Sequence, residues 1–309
     1  MDSNKEKFLE IFNTIDFPKV IDHPNILIAA RFWEEERYHA AKTCYALMRG
    51  IDDLIDNYKA ANKEIIPDER DGFKLNVKKW IEEIQAPGNG NPVHQEMVKT
   101  FQRFRIPLWT MEVFAKSMIY DIDHDGFPTL DTFLDYAGGA SVAPASVFVH
   151  LTGLTKNEDT FHLPPFDVKE VATPCAIFSY LVHIIRDFQK DQLNNLNYFA
   201  DDLVEKYGLT RQDLGEIARG RQVNAPFRGL IREYYLLAEK YRMKTLHMLE
   251  KVRPMLEPRY QLSLEIIFDL YLMVFERIHP DTGNFTTVEL NPTPEETRER
   301  VLRKIVEFD

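Results

Sequence analysis

Two stretches, RGIDDLIDNY (49–58) and HIIRDFQKD (183–191), share the pattern that decides how this chain is interpreted. Each carries two aspartates four positions apart: Asp52 and Asp56 in the first, Asp187 and Asp191 in the second. Residues four apart lie on the same face of an α-helix. Carboxylates set among leucines and isoleucines are costly to desolvate unless a cation meets them. The pattern therefore predicts two helices that share a positively charged ligand.

Magnesium carried by a diphosphate is the ligand that these spacings favour. Mg²⁺ prefers oxygen ligands, keeps several waters, and usually takes one or two protein carboxylates beside phosphate oxygens. The four aspartates are therefore candidate metal ligands and catalytic residues. Arg49 and Arg186 stand next to the two pairs. A guanidinium group suits phosphate oxygens, so both arginines are candidate catalytic residues as well.

Each aspartate pair, taken alone, also fits an ordinary solvated helix face. The neighbouring residues favour a functional interpretation, because both stretches are apolar around much of the helix. The apolar residues are Tyr45, Leu47, Met48, Ile51 and Ile55 in the first stretch, and Ile177, Phe178, Leu181, Ile184, Ile185 and Phe188 in the second. Such helices are interior, and a carboxylate on an interior helix faces a cavity or a ligand.

The composition is that of a globular protein with a substantial core: 309 residues, 44% hydrophobic and 12% aromatic. Cys44 and Cys175 are the two cysteines, and their place in helical patterns predicts buried free thiols in a reducing cytoplasm. The charged start of the chain predicts no signal peptide. No apolar run approaches the roughly 18 residues of a membrane span. We expect a cytoplasmic protein without a transmembrane segment, although a lipid product is compatible with transient membrane association.

Charge and motifs exclude several classes of function. A formal charge of −11 disfavours nucleic acid and anionic membranes as partners, whereas magnesium can still recruit an anionic substrate to an acidic cleft. The sequence has no GxSxG, HExxH, P-loop or dinucleotide-binding glycine motif. Its nine histidines show no metal-ligand spacing. Nucleotide-binding proteins and enzymes with an activated nucleophile are therefore disfavoured.

Amphipathic stretches of helical period dominate the chain. They span roughly 35–58, 69–85, 92–106, 108–122, 129–152, 167–191, 222–252, 255–278 and 294–307. The last stretch has a clear helix N-terminal signal, because Thr293 is a good N-cap and Pro294 suits the first helical position. Without repeats, long linkers or alternating strand patterns, the chain is expected to be a single all-α domain over 1–309, a bundle of about a dozen helices.

The segment DIDHDGFPTLDT (121–132) offers a rival, calcium-binding interpretation. Asp121, Asp123 and Asp125 occupy calcium-loop positions one, three and five. The match then fails, because Pro128 has no N–H and position twelve is Thr132 instead of a bidentate glutamate. The alternative is a helix end and turn, with Asp121 ending a helix near the cavity.

The segment YAGGASVAPASVFVHLTG (136–153) is rich in small residues. Glycine costs a helix about 1 kcal/mol and proline about 3 kcal/mol against alanine, so tight packing or a ligand must compensate. Both explanations remain open. If the small residues leave room for a long apolar ligand, aromatic residues would line a dry pocket and stabilise a carbocation through their ring faces. The candidates are Tyr45, Tyr136, Phe178, Tyr180, Tyr198 and Tyr271, any one of which fits the core equally well.

The stretch RYHAAKTCYALMRGIDDLID (37–56) resembles the first aspartate signature of the squalene/phytoene synthase family, R…YaFcRxxDDxxD. HIIRDFQKDQLNNLNYF (183–199) is similar to the second, NilRDxxeDxxrgrvYlp, with Tyr198 seven residues after Asp191. The resemblance covers about residues 20–280. Its other matches are MIYDID (118–123), YAGGASVAP (136–144), IREYYLLAEK (231–240) and the region around Arg259 and Tyr271.

The chain departs from the family pattern at several positions of the site. His183, Lys190 and Leu196 stand where the pattern has asparagine, glutamate and a basic residue, and DHPN (22–25) replaces a serine-rich, diphosphate-holding segment. Lys190 is expected to supply a positive charge to a diphosphate, which partly replaces the lost basic group.

The resemblance implies an isoprenoid synthase-like fold around a central cavity. It also implies Mg²⁺-dependent head-to-head condensation of two prenyl diphosphates through a cyclopropyl diphosphate, to a squalene, dehydrosqualene or phytoene type of product. In this chain Asp52, Asp56, Asp187 and Asp191 would hold the metal, and Arg49 and Arg186 would bind departing diphosphate. The implied substrate-binding residues are Tyr45, Asp53, Tyr136, Lys190, Tyr198 and Tyr271.

Two alternatives remain on the same scaffold: a class I terpene cyclase that uses one prenyl diphosphate, and a non-catalytic relative that acts as an assembly factor. Relatives of the second kind tend to lose the aspartates, which this chain keeps. Substrate chain length, use of NADPH and oligomeric state are not readable from the sequence.

Overall fold

The computed structural model describes residues 3–20, 25–62, 65–85 and 92–308. Most of the DHPN segment, residues 22–24, therefore lies outside the described residues. Helices account for nearly all regular structure, and the all-α fold expected from the sequence is confirmed. The single-domain organisation remains a prediction.

The first half of the chain contains nine α-helices and a π-helical turn among its described residues. They are α1 (Ser3–Phe12), α2 (Phe17–Val20), α3 (Asn25–Ala30), α4 (Glu35–Asn62), α5 (Pro67–Gln85), α6 (Pro92–Phe104), α7 (Trp109–Asp123), α8 (Leu130–Ala137), the π-helix Gly138–Val142, and α9 (Ala143–Gly153). The amphipathic stretch predicted as one helix over 129–152 is thus divided by the π-helical turn.

The second half begins with a short antiparallel hairpin, β1 (Thr155–Asn157) and β2 (Thr160–His162), with Lys156 opposite Phe161. The helices that follow are α10 (Val168–Arg186), α11 (Phe188–Leu193), α12 (Asp201–Lys206), α13 (Arg211–Ala218), α14 (Ala225–Val252), the 3₁₀ turn Arg253–Met255, α15 (Pro258–Phe275), α16 (Thr287–Leu290) and α17 (Pro294–Glu307). The stretch predicted as one helix over 167–191 is interrupted at Asp187.

Side-chain caps fix where several helices begin. The Asp167 carboxylate accepts hydrogen bonds from the backbone N–H groups of Lys169 and Glu170 at the start of α10. Thr293 and Glu296 form a reciprocal capping box at the start of α17, with Pro294 at the first helical position. The helix start predicted from Thr293 is confirmed.

Helix α10 forms the centre of the bundle. It packs most extensively on α14 and also contacts α9, the π-helix and α15. It is the one described helix long and apolar enough to cross a membrane by length and composition. Because 61% of its most apolar window is buried, the burial of a core helix accounts for that composition.

The π-helical turn lies against α7 at very short range. A side chain at Gly139 would collide with the Ser117 hydroxyl and the Val113 carbonyl oxygen. The Ser117 hydroxyl donates a 2.8 Å hydrogen bond to the carbonyl oxygen of Tyr136 at the same contact. Close helix packing therefore accounts for the small residue at position 139, one of the two explanations left open by the sequence.

Candidate active site

A cavity of about 550 Å³ lies between α4, the π-helix, α9, α10, α14 and α15. Its size falls within the range of small-molecule sites in proteins. One end carries the aspartates, and the remainder is mainly apolar. Apolar lining residues are Ile26, Met48, Phe114, Ala140, Pro144, Ala145, Phe148, Val149, Val171, Ala172, Cys175, Ala176, Ile184, Met248, Leu249, Val252, Leu264 and Ile267. Small residues of the 136–153 segment thus also widen the cavity, so both explanations for that segment apply.

The cavity brings together nearly all of the site residues predicted from the sequence. Those that line it are Tyr45, Arg49, Asp52, Asp53, Asp56, Arg186, Asp187, Lys190, Asp191, Tyr198 and Tyr271. Phe178, an aromatic candidate for the wall, lies in the core outside the lining. Of the implied substrate-binding residues, Tyr136 alone is not among them. It is buried behind the wall, where its ring lies 6.4 Å from the lining Tyr180 and 4.9 Å from Phe127, between ring centroids.

The second aspartate pair stays on one face although the helix breaks between its members. Asp187 has φ −92° and ψ 0° and separates α10 from α11. The backbone N–H of Asp187 still donates to the His183 carbonyl, and that of Asp191 donates to the Asp187 carbonyl, both at 2.8 Å. Because the four-residue hydrogen-bond spacing continues through the break, the two carboxylates project in the same direction.

The carboxylates of the two helices raise one another's pKa. Burial first, and then the charges of Asp52, Asp121 and Asp191, raise the pKa of Asp56 to about 8. Burial and the charges of Asp187 and Asp52 raise the pKa of Asp191 to about 7. The pKa of Asp52 is raised to about 6, chiefly by burial. Uncompensated carboxyl groups at this density favour a bound divalent cation, because it stabilises their charged forms.

Both candidate phosphate-binding arginines are paired with aspartates. Arg49 contacts Asp52 at 2.8 Å and Asp53 at 2.5 Å. Arg186 forms two parallel hydrogen bonds with Asp187, at 2.8 and 2.6 Å. Burial alone would raise the pKa of Asp187, but the hydrogen bonds and charge of Arg186 outweigh burial and hold it below its usual value.

Lys190 is exposed at the aspartate end of the cavity, where the sequence predicted a positive charge. Among the described residues its ammonium group has no ion-pair partner. Tyr198 lies deeper and donates a long hydrogen bond, 3.5 Å, to the Asp56 carboxylate. Both side chains therefore face the space that a ligand of the aspartates would occupy.

His183 lines the cavity one turn before Asp187. Its Nε2 atom is buried and lacks a hydrogen-bond partner among the described residues. Its ring meets that of Tyr271 edge to face, with 4.9 Å between centroids. Burial lowers the pKa of His183 to about 3, so the imidazole is neutral near neutral pH. The sequence marked His183 only as a departure from the family pattern.

Lys59 is a residue of this region that the sequence analysis missed. It is 4% exposed, and its ammonium group lies 2.6 Å from the carboxylate of Asp121 and 2.9 Å from the carbonyl oxygen of His124. A signal was present, because Lys59 follows Asp52 by two helical turns and Asp56 by one, and therefore shares their face of α4. Asp121 lies in the last turn of α7, as expected.

The calcium-loop interpretation does not fit the described geometry. The three aspartates of 121–125 point to three different basic residues: Asp121 pairs with Lys59 at 2.6 Å, Asp123 with Lys74 at 2.5 Å, and Asp125 with Arg211 at 3.5 Å. Calcium needs six to eight oxygens around one point. The segment is a helix end and turn, the alternative that the sequence left open.

No group of three or more His, Cys, Asp or Glu side chains within the described ranges is arranged to hold a metal ion alone. A metal at the aspartates would need further oxygens from its ligand and from water. Mg²⁺ bound to phosphate oxygens meets that requirement, because it commonly keeps waters and takes few protein carboxylates. The oxygen-rich donor set therefore fits magnesium with a diphosphate.

Both cysteines are free thiols. Cys44 is fully buried on α4, and Cys175 lies in the cavity wall. Burial raises the pKa of each thiol to about 12, which makes neither a reactive nucleophile.

Comparison with known proteins identifies the family. A profile of the squalene/phytoene synthase family matches residues 23–300, and the chain belongs to this family. No curated protein sequence matches the chain.

Several solved structures share the fold at low sequence identity. A dehydrosqualene synthase in complex with a ligand superposes with a TM-score of 0.71, at 14% identity over 99% of both chains. Squalene synthase HpnC from Alicyclobacillus acidocaldarius gives a TM-score of 0.64, at 13% identity over 88% of this chain and 92% of that chain. YisP from Bacillus subtilis gives 0.58, at 14% identity over 97% and 98%. The isoprenoid synthase-like fold expected from the sequence is confirmed.

Proposed function

We propose that the protein is a Mg²⁺-dependent enzyme that joins two prenyl diphosphates head to head. The observation that carries this proposal is the single face that α10 and α11 present to the cavity. Asp187 and Asp191 stand at one end of that face, and Ala172 and Val171 at the other. Fifteen residues of helix separate Ala172 from Asp187, about 22 Å at 1.5 Å per residue. A ligand that fills this space has a charged head and a long apolar chain.

Family membership supports prenyl diphosphates as that ligand class. Two structural neighbours, a dehydrosqualene synthase and a squalene synthase, are named for reactions of the same ligand class. Retention of Asp52, Asp56, Asp187 and Asp191 favours an enzyme over a non-catalytic relative. The cytoplasmic location remains a prediction.

Departure of the first diphosphate is the step that the charged end would promote. Bound Mg²⁺, held by Asp52 and Asp56 or by Asp187 and Asp191, would stabilise the negative charge of the leaving group. Arg49 and Arg186 would donate hydrogen bonds to its oxygens. A well-placed donor at a developing negative charge is commonly worth about 3–4 kcal/mol. The C1–O bond breaks and both electrons leave on oxygen.

The aromatic wall would then guide the allylic cation. The rings of Tyr45, Tyr180 and Tyr271 line the cavity, and ring faces attract a cation in a dry site. The C2–C3 double bond of the second chain supplies electrons to the cation, and loss of a C1 proton to the released diphosphate closes a cyclopropane. Departure of the second diphosphate opens the ring to a 1–1′ linked chain. The final cation is quenched by proton loss or by hydride from a reductant such as NADPH.

Incubation with C15 and C20 prenyl diphosphates and Mg²⁺, with and without NADPH, tests the proposal by mass spectrometry of the products. We expect a C30 or C40 hydrocarbon and two diphosphates released per product. A cyclic C15 or C20 product would identify a terpene cyclase instead. If neither substrate releases diphosphate, the result contradicts this proposal and supports the non-catalytic alternative.

A further inference from the structure

The two arginines at the aspartate end are not available to an incoming anion in this structure. Arg49 is shared by Asp52 and Asp53. Arg186 is held by both carboxylate oxygens of Asp187, and only about a fifth of each side chain is exposed, 20% and 24%. Bidentate pairing of this kind is strong and directional. Arg186 is therefore neutralised by the first aspartate of its motif, and Arg49 by Asp52 together with Asp53.

The second aspartate of each motif differs from the first. Asp56 accepts only the long hydrogen bond of Tyr198, and Asp191 has no ion pair with a basic side chain in the described part of the chain. The site thus presents two free carboxylates and two neutralised arginines. Lys190 is its one lining cation outside an ion pair among the described residues.

We propose that Arg49–Asp52 and Arg186–Asp187 are exchange pairs that admit diphosphate only together with its metal ion. The inference rests on the proposed function and adds an order of events to it. When a metal ion takes Asp187, Arg186 loses its partner and becomes free to bind phosphate oxygens. When a metal ion takes Asp52, Arg49 keeps only the more exposed Asp53 and can turn one side of its guanidinium group to phosphate. The arginine–aspartate ion pair is then replaced by two ion pairs, one between arginine and phosphate and one between aspartate and metal.

Electrostatics make the metal-free route unfavourable. To bind Arg186, free diphosphate must displace the Asp187 carboxylate, which would be left partly buried without a counter-ion, a state that is strongly destabilising. Asp56 and Asp191 would also repel the anion wherever they are ionised, as at a pH above their raised pKa values. The exchange pairs therefore exclude free diphosphate, including the released product once its metal has left.

Calorimetric titration with inorganic diphosphate in EDTA at pH 8.5 tests the inference on purified, folded variants. Asp187→Asn frees Arg186, whereas the matched control Asp191→Asn removes one negative charge a single turn away and frees no arginine. We expect Asp187→Asn to bind metal-free diphosphate at least about tenfold more tightly than Asp191→Asn or the unaltered protein, the gain of one charge-assisted pair. Adding Arg186→Gln to Asp187→Asn should abolish the gain.

The other motif provides a second test that does not depend on the fold of Asp187→Asn. The double variant Asp52→Asn/Asp53→Asn frees Arg49, and Asp53→Asn/Asp56→Asn, which removes as many charges and leaves Asp52 on Arg49, is its control. If the variants and controls of both motifs bind metal-free diphosphate with equal affinity, the inference of exchange pairs is wrong. If the unaltered protein then still binds diphosphate with Mg²⁺, the proposed function survives. If no variant binds diphosphate with or without Mg²⁺, the proposed function fails together with the inference.

Discussion

The ammonium group of Lys59 and the carboxylate of Asp121 form a buried ion pair that joins α4 to α7 directly behind the candidate site, with 2.6 Å between Nζ and Oδ1. Lys59→Met would leave Asp121 buried without a counter-ion. We expect a loss of about 3–5 kcal/mol in the free energy of unfolding, measured by urea denaturation. Lys59→Met/Asp121→Leu should recover most of it, because no charge remains unpaired. A double variant as unstable as the single one would contradict the pairing.

Alanine substitutions at the adjacent residues Gly139 and Gly138 are expected to have opposite effects on the free energy of unfolding. Gly139→Ala would force the π-helical turn away from Ser117 and Val113, with an expected cost of about 1–3 kcal/mol in the free energy of unfolding. A side chain at Gly138 meets nothing within 4 Å. Gly138→Ala should be neutral or stabilising by up to about 1 kcal/mol. Thermal denaturation of the two variants measures these effects, and equal changes in stability would contradict the close contact at Gly139.

The two aspartate motifs should both be required for turnover. Asp52→Ala and Asp187→Ala each remove a proposed metal ligand, and we expect each to lower kcat by about 100-fold or more while circular dichroism stays unchanged. Asp125→Ala alters an exposed carboxylate outside the cavity and serves as the control. Near-full activity in either folded variant would remove that motif from the proposed mechanism.

Lys190 should contact diphosphate. Lys190→Glu reverses its charge at the cavity mouth, and we expect KM for the prenyl diphosphate to rise about tenfold or more, the loss of a charge-assisted interaction. The control is Lys116→Glu, because Lys116 is exposed on α7 and does not line the cavity. Equal KM values for the two variants would show that Lys190 is an ordinary surface residue.

His183 should make the protein acid-sensitive. Its pKa is lowered from 6.5 to about 3 by burial. Between these values the unfolded chain binds a proton that the folded protein excludes, so the free energy of unfolding falls with decreasing pH by up to about 1.4 kcal/mol per unit. His183→Asn should flatten this dependence between pH 6.5 and 4. The exposed His247 provides the control, His247→Asn, whose profile should match the unaltered protein.

Much of the helical framework could be predicted from the sequence, because burial of one helix face leaves a periodic trace in the chain. The stretch 222–252 became α14 (225–252), and 294–307 became α17 with the same bounds. The break at Asp187 and the π-helical turn at Gly138–Val142 could not be predicted. Both depend on contacts with other helices, whereas periodicity reports only local burial.

In the candidate site, too, local features could be predicted from the sequence and contacts between helices could not. Spacing alone placed Asp52 with Asp56 and Asp187 with Asp191, since geometry within one helix is local. The pairing of Lys59 with Asp121 depends on how α4 meets α7, and a single sequence does not contain that information. For the same reason, Tyr136, which the family motif implied as a substrate-binding residue, lies behind the cavity wall and not in it.

The two halves of the aspartate end belong to helices far apart in the chain, α4 and the α10–α11 junction. No short segment of the unfolded polypeptide can present both halves to one ligand. A ligand that bridges them therefore binds the folded protein alone and stabilises it by mass action, by about 2.7 kcal/mol at one hundred times Kd. A rise in melting temperature can consequently serve to screen candidate prenyl diphosphates before any product is known.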